Sequence, residues 1–310
     1  MDKTSLLEDF LICPGCGSKI RFNGQELSCT NCKKHFSFVE NGIADMLDEG
    51  EKGDFTMKKW EEFYLDCGKM DSLEKEYKKL YLGKATQQVL EYSSNLQKGR
   101  IFLEIGCGNG FLGEELAKQG WLFIGVDFSL NALRGLKKRL ESRGVENFML
   151  IHSDIKNLPL KDNSVDLIYG GGVIEHFKDN LPVLKNLHRV LKEKGVAFNT
   201  VPLLNIGNFM YRSLWGGIPN LPILKQLAEF IHIRILKGKH MVFGYELMFT
   251  EGQLRRMHAN AGFTNKIIID RFDIPVELNA IKNSRIRRFV SGLSRKSRHF
   301  WPMVKVIAVK

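Results

Sequence analysis

The chain has 310 residues, of which 44% are hydrophobic, and a formal net charge of +11. That is enough apolar material to bury the core of one large domain or two. Six cysteines, four of them in two close pairs, do not make a secreted disulfide scaffold, and no run of about eighteen apolar residues offers a spanning helix.

The N-terminus, "MDKTSLLEDFLICPGC", lacks a signal-peptide layout, so a reducing, cytoplasmic setting is expected. The excess of positive charge is local. From Lys282 to Lys310 there are nine Lys and Arg and no acid, with the core of this basic segment at 282–302. Such a segment suits a phosphate-bearing partner, RNA or an anionic membrane surface at which the protein would be peripheral, or it is simply a solvated basic face.

The first unit, 1–48, carries Cys13, Cys16, Cys29 and Cys32 as C-x2-C-x12-C-x2-C. Two knuckles of two thiolates each complete a tetrahedral Zn²⁺ site, closed and therefore structural. So small a module has little core of its own, which couples metal binding to folding. On this reading, losing Cys13 unfolds residues 10–47 and leaves the rest of the chain largely intact. Residues 49–98 are charged, with helical aromatic spacing at Trp60, Phe63, Tyr64, Tyr77, Leu80 and Tyr81, and read as linking helices.

From 99 to 310 strands and helices alternate. "RIFLEI", "WLFIGVD", "NFMLIHSD", "SVDLIYGG" and "VAFNTVP" are predicted strands, followed late in the chain by "NKIIIDRF" and "MVKVIAVK". Helices are predicted for "GFLGEELAKQG", for "LNALRGLKKRLESRG" with Ser129 as N-cap, for "NLPVLKNLHRVLKEKG", and after Thr250. The alternation implies a seven-stranded, mostly parallel sheet with helices on both faces. An apolar, aromatic insertion, 203–249, interrupts it.

The first strand runs into "LEIGCGNG". Gly106, Gly108 and Gly110 give G-x-G-x-G rather than the G-x-G-x-x-G of dinucleotide sites. Glu104 at the mouth of that loop repels a pyrophosphate and attracts a cation. Asp127 closes the second strand, where a carboxylate grips a ribose diol, and Asp154 closes the third, where it can accept from an adenine amine between Phe128 and Ile155. Three acids at successive strand ends fit a ligand carrying an ammonium and a sulfonium.

These residues resemble the class I S-adenosylmethionine-dependent methyltransferases: "LEIGCGNG" their first motif, "GVDFS" their second-strand acid, "SDIKNLPLKDNSVDLIYGGGVIEHF" and "LHRVLKEKGVAFNTVP" the regions after it. The resemblance spans about residues 98–202, with weaker support to 272, and implies a Rossmann-like methyltransferase domain behind the zinc ribbon. It implies that Glu104 lies near the methionine amino group, with Gly106 and Gly108 against the methionine moiety and Cys107, Gly110, Phe128 and Gly171 as further cofactor-binding residues. It places Asp127 at the ribose and Asp154 with Ile155 at the adenine. Glu175 and His176, in "GGGVIEHF", fall near the methyl group, and His176 is the candidate base. Quinone O-methyltransferases of this fold resemble the same stretch but carry an acid, used with a metal, where this chain has Gly172.

Residues 10–47 resemble the zinc-ribbon domain of the small activator subunit of tRNA and release-factor methyltransferases, which also occurs fused in front of methyltransferase domains. A related ribbon precedes rRNA guanine-N1 methyltransferases. The insertion stands where this fold commonly places a lid, with Phe209, Tyr211, Trp215 and Phe243 as candidate lining. Three functions stay open: methylation of a small-molecule or lipid-linked acceptor, methylation of RNA, and non-catalytic binding of cofactor or partner. No obligate protein partner is inferred.

Overall fold

The protein is described from a computed structural model over residues 3–40, 42–47, 55–65, 82–92, 100–213, 216–241, 244–272 and 284–310. Cys67, Tyr77, Leu80, Tyr81, Trp215, Phe243 and the side chain of Tyr211 lie outside these residues.

The N-terminal module consists of α1 (Lys3–Phe10) and strands β1 (Ile20–Phe22), β2 (Leu27–Cys29), β3 (His35–Val39) and β4 (Ile43–Asp45). Helices α2 (Phe55–Phe63) and α3 (Gly83–Glu91) follow. The α/β body then lays down β5 (Ile101–Ile105), α4 (Phe111–Lys118), β6 (Leu122–Asp127), α5 (Leu130–Ser142), β7 (Phe148–His152), β8 (Val165–Gly171), α6 (Leu181–Val190) and β9 (Leu191–Pro202). After the insertion come α9 (Glu251–Asn260), β12 (Lys266–Arg271), α10 (Ser284–Lys296) and β13 (Met303–Val309), the labels between being those of the insertion.

The seven strands expected from the sequence are present in the order β7-β6-β5-β8-β9-β13-β12, with β13 antiparallel to both neighbours. The count of seven nevertheless needs correction, because the sheet has eleven strands. β4 pairs in parallel with β7, Ile43 opposite Leu150 and Asp45 opposite His152, and β3, β2 and β1 follow outward. The reason is the open edge of β7. Its outer N–H and C=O groups require partners, and a short apolar strand from the same chain supplies them. Met46 N–H extends the pairing to the His152 carbonyl at 2.8 Å. Leu11 bridges Leu160 beneath it, so Phe10 and Leu11 share one core with Ile151 and Leu160.

Successive side chains of each central strand enter opposite cores, Leu103 and Ile105 one and Phe102 the other. This is why these strands read as continuous apolar runs. Local signals start two helices where expected. Ser129 Oγ accepts from Ala132 N–H at 3.1 Å, and Thr250 and Gln253 form a reciprocal capping box. α6 departs from expectation and ends at Val190 rather than near Gly195. Leu191 already pairs with Val165, and Lys194 takes a left-handed φ of 65° to turn the chain into the sheet.

The insertion is ordered into α7 (Ile206–Arg212), β10 (Gly217–Pro219), α8 (Pro222–Glu229), a π-helical continuation over Phe230–Ile235, and β11 (Glu246–Met248), parallel to β10. Among the described residues no helix is long and apolar enough to cross a membrane.

Candidate active site

After β5 the chain turns through Gly106 and Gly108 at φ of 53° and 47°, a backbone region that suits glycine. The turn folds tightly on its surroundings. A methyl at Gly106 would meet Val173 at 2.8 Å, and one at Gly108 would lie 2.1 Å from the Tyr64 hydroxyl. Gly110, at φ 54°, hands the chain to α4.

The strand-end acids are all buried but differ in task. Glu104 does not line the cavity described below. Its Oε2 accepts from Gly113 N–H at 2.9 Å and so fastens the first turn of α4 to β5. Burial pushes its carboxyl up to about 8, against the opposing pull of that N–H and of Arg139. Asp127 does face the cavity. Its Oδ2 accepts from Gly108 N–H at 2.7 Å and its Oδ1 from Ser129 N–H at 2.8 Å. Each oxygen retains lone-pair capacity for a further donor. Burial raises this carboxyl to about 6, with the two N–H groups and His152 pulling the other way. Asp154 also lines the cavity; its Oδ1 accepts from Lys156 N–H at 2.8 Å, and the Lys156 ammonium lies 2.8 Å from Oδ2.

One cavity of about 740 Å³ joins these groups, a size suited to a cofactor and an acceptor together. Gly106, Asp127, Phe128, Asp154, Ile155 and Gly171 line it, and so does His176. Cys107, Gly108, Gly110, Glu104 and Glu175 are not among its lining residues and hold the loop and its neighbours from behind. The remaining wall is largely apolar: Phe55, Met57 and Trp60 of α2, with Ile233 and Met241 of the insertion.

His176 follows β8 in a short 3-10 turn. Its Nδ1–H donates to the Tyr245 carbonyl at 2.6 Å, which fixes the tautomer and leaves Nε2 as the atom able to take a proton. Burial holds its pKa below the ordinary histidine value, with Glu246 and the Tyr245 carbonyl opposing. Trp60 packs edge-on to the ring at 5.9 Å. Tyr64 closes the loop side of the cavity. Its hydroxyl rests on Gly108, among Glu104, Cys107 and Asp127, and burial first and those groups second push its pKa well up.

α2 supplies Trp60 and the turn after it Tyr64, which the sequence offered only as an aromatic helix stripe. A second contribution was invisible there. His152 Nδ1 pairs with Asp45 Oδ1 at 2.7 Å and its Nε2 with the Phe128 carbonyl at 2.9 Å, tying the N-terminal module to the strand end that carries Asp127.

In that module the four sulfurs of Cys13, Cys16, Cys29 and Cys32 lie within 4.8 Å of one another, with Cys16–Cys29 at 3.4 Å and Cys13–Cys32 at 3.6 Å. Tetrahedral zinc thiolate requires sulfurs about 3.8 Å apart at a Zn–S distance of about 2.3 Å, so the quartet fits the ion. Hydrogen bonds from Ser18 lower the Cys16 thiol to about 5, the direction a metal ligand needs.

Residues 103–199 match the family model described as a methyltransferase domain. A demethylmenaquinone methyltransferase of Geobacillus stearothermophilus is 36% identical over 107 residues, 33% of this chain and 45% of its own length. The chain spans about half the length of the curated relatives it matches. Haemonchus contortus phosphoethanolamine N-methyltransferase 2, solved with phosphomonomethylethanolamine and S-adenosylhomocysteine, superposes with a TM-score of 0.50 at 20% identity, covering 73% of this chain and 52% of that one. A chain from a complex that includes the Haloferax volcanii Trm112 methyltransferase activator gives 0.53 at 13% identity, covering 81% of this chain and 96% of that one. At these identities the structures share the fold. The family match makes residues 103–199 a methyltransferase domain, and the strand order gives it the fold of the class I S-adenosylmethionine-dependent methyltransferases.

Proposed function

We propose that the chain transfers a methyl group from S-adenosylmethionine to a small, apolar, lipid-linked acceptor. The observation that carries this is the composition of the cavity described above. Asp127 and Asp154 line it together with His176 and with the apolar wall of Phe55, Met57, Trp60, Ile233 and Met241. The curated relatives named for demethylmenaquinone point to the same acceptor class.

The cofactor supplies a methyl carbon already activated by its sulfonium. Asp127 accepts the two ribose hydroxyls on its remaining lone pairs, and Asp154 accepts the adenine amine between Phe128 and Ile155. Glu104 acts from behind the loop, holding the first turn of α4 through Gly113 N–H. The walls from α2 and the insertion exclude water and hold the acceptor in line with the methyl carbon. His176 takes the acceptor's proton on Nε2 where the acceptor must lose one, and is neutral for that task at pH 7. Zinc, held by the four cysteines, is structural.

Full-length chain incubated with methyl-labelled S-adenosylmethionine and, separately, a membrane lipid extract and total RNA tests this, with label followed by mass spectrometry. Label in a lipid product is expected. Label confined to RNA replaces the acceptor class, and absence of S-adenosylmethionine binding by calorimetry overturns the methyl-transfer reading.

A further inference from the structure

The insertion carries an apolar surface that the protein itself leaves uncovered. No residue of α8 or of its π-helical continuation is buried. Ile223 is 81% exposed, Ile235 58%, Leu227 53% and Phe230 52%. Ile223, Leu227, Phe230 and Ile231 recur at i, i+4, i+7 and i+8, so they share one face. Soluble surfaces seldom gather so many large apolar side chains in one place.

The charges beside this face are positive: Arg234 and Lys239 stand at its C-terminal end, whereas Lys225, two residues after Ile223, lies on the opposite side of α8. Glu229, the one acid between Pro222 and Lys239, is taken by the Tyr245 hydroxyl at 2.6 Å. α7, packed with α8 on β10, exposes Ile206, Phe209 and Met210, and the turn after the basic helix α10 lies against α7, where Arg298 O accepts from Asn205 Nδ2 at 3.1 Å.

The same segment forms the rim of the cavity. Ile233, Lys237 and Gly238 line it, and Lys59 of α2 donates to the Gly238 carbonyl at 3.0 Å across its mouth. A side chain on one turn therefore reaches the acceptor space while those on the next turn face outward.

We propose that residues 221–236 lie in the surface of an anionic lipid bilayer, apolar face down and Arg234 and Lys239 at the headgroups. Apolar side chains bordered by cations, with the local acid turned inward, match the charge and depth profile of such an interface. The docking surface stands independently of the chemistry. Its use, presenting the cavity mouth to an acceptor held in the membrane, rests on the methyl-transfer reading above.

The test is co-sedimentation of the full-length chain with vesicles of phosphatidylcholine alone and of phosphatidylcholine with about one-third phosphatidylglycerol. The native chain is expected to partition onto the mixed vesicles. Ile223→Ser/Leu227→Ser/Phe230→Ser is expected to lower that partitioning by at least about tenfold, and Arg234→Glu/Lys239→Glu to weaken the preference for anionic vesicles. All five side chains lie outside the cavity lining, so melting temperature and S-adenosylmethionine affinity should stay at native values. Partitioning of the triple serine variant equal to native overturns the proposal, and so does a native chain that fails to bind vesicles. A native chain that self-associates without lipid, and a serine variant that is monomeric, overturn it in favour of an interface between copies. Loss of S-adenosylmethionine binding with partitioning intact sinks the methyl-transfer reading and leaves the docking surface standing.

Discussion

With Asp127 on the ribose diol, as proposed above, the affinity for S-adenosylmethionine is expected to depend on pH in a range where an ordinary aspartate would not make it do so. Its carboxyl sits at about 6 in the ligand-free protein because burial penalises the charge more than its two N–H donors and His152 favour it. The ribose hydroxyls donate, so they bind the carboxylate and not the acid. At pH 7 about nine-tenths of the sites are ionised, and at pH 5 about one-tenth. Affinity for the cofactor, or for its unreactive product S-adenosylhomocysteine, is therefore expected to fall about tenfold between pH 7 and pH 5, about 1.4 kcal/mol. Calorimetric titration with S-adenosylhomocysteine at pH 5, 6, 7 and 8 reads this directly. Asp127→Asn should weaken binding at pH 7 by about 1.5–3 kcal/mol, the worth of hydrogen bonds to a charged group, and remove the inflection near 6. The stability sign runs the other way. A carboxyl raised from 3.8 to about 6 on folding favours the fold when protonated, and that contribution is lost as pH rises through 6. Weakened binding in the asparagine variant at pH 7 is thus not a consequence of relieving this charge. A flat native profile, or an inflection that survives in Asp127→Asn, refutes the assignment of Asp127 to the diol.

His176→Gln should leave S-adenosylhomocysteine affinity near native and lower kcat by about 10²–10⁴ for an acceptor that must lose a proton; unchanged kcat removes the base role. Because burial lowers the pKa of His176, the acid limb of the native rate profile should fall below the usual histidine range. Gly108→Ala puts a methyl 2.1 Å from the Tyr64 hydroxyl at a positive φ, so Tyr64 must move and calorimetric affinity for S-adenosylhomocysteine should fall. Gly144→Ala, at φ 67° with open space around it, should cost about 1 kcal/mol in denaturant unfolding and keep native affinity. Stripping zinc with a chelator, or Cys29→Ser, should abolish hydrogen-exchange protection across β1–β4 and also weaken cofactor binding measurably; loss of protection with native affinity would show that the module and the site are uncoupled.

What the sequence disclosed was whatever depends on neighbours in the chain. Ser129 and Thr250 cap their helices through residues three positions away, and the cysteine spacing brings four sulfurs together across two short knuckles. The acids at 104, 127 and 154 were legible because parallel strands align their carboxyl ends. Their division of labour was not. Glu104 and Asp127 differ in orientation by the choice of backbone partner, Gly113 or Gly108 with Ser129, and pattern alone does not choose. Trp60 and Tyr64 read as an ordinary apolar stripe because their target, the loop at Gly108, lies more than forty positions away. The end of α6 was missed because pairing of Leu191 with Val165 outweighs good helix formers at 192–194.

The sequence also suggested a ribbon separable from the catalytic body, and the sheet argues for coupling. β4 satisfies the edge of β7, and its last residue, Asp45, holds His152 at the strand's end. His152 in turn holds the Phe128 carbonyl, one residue from Asp127, and lies close enough to help keep that carboxylate charged. Without the zinc-stabilised module, β7 becomes an exposed edge, His152 loses one of its two acceptors, and the backbone at Phe128 loses the constraint that aims Asp127 into the cavity. The free energy of metal binding to the four cysteines would thus reach the cofactor site through three hydrogen-bonded groups and one strand pairing. A metal there would act on ligand affinity by fixing a strand edge, with no ligand contact of its own.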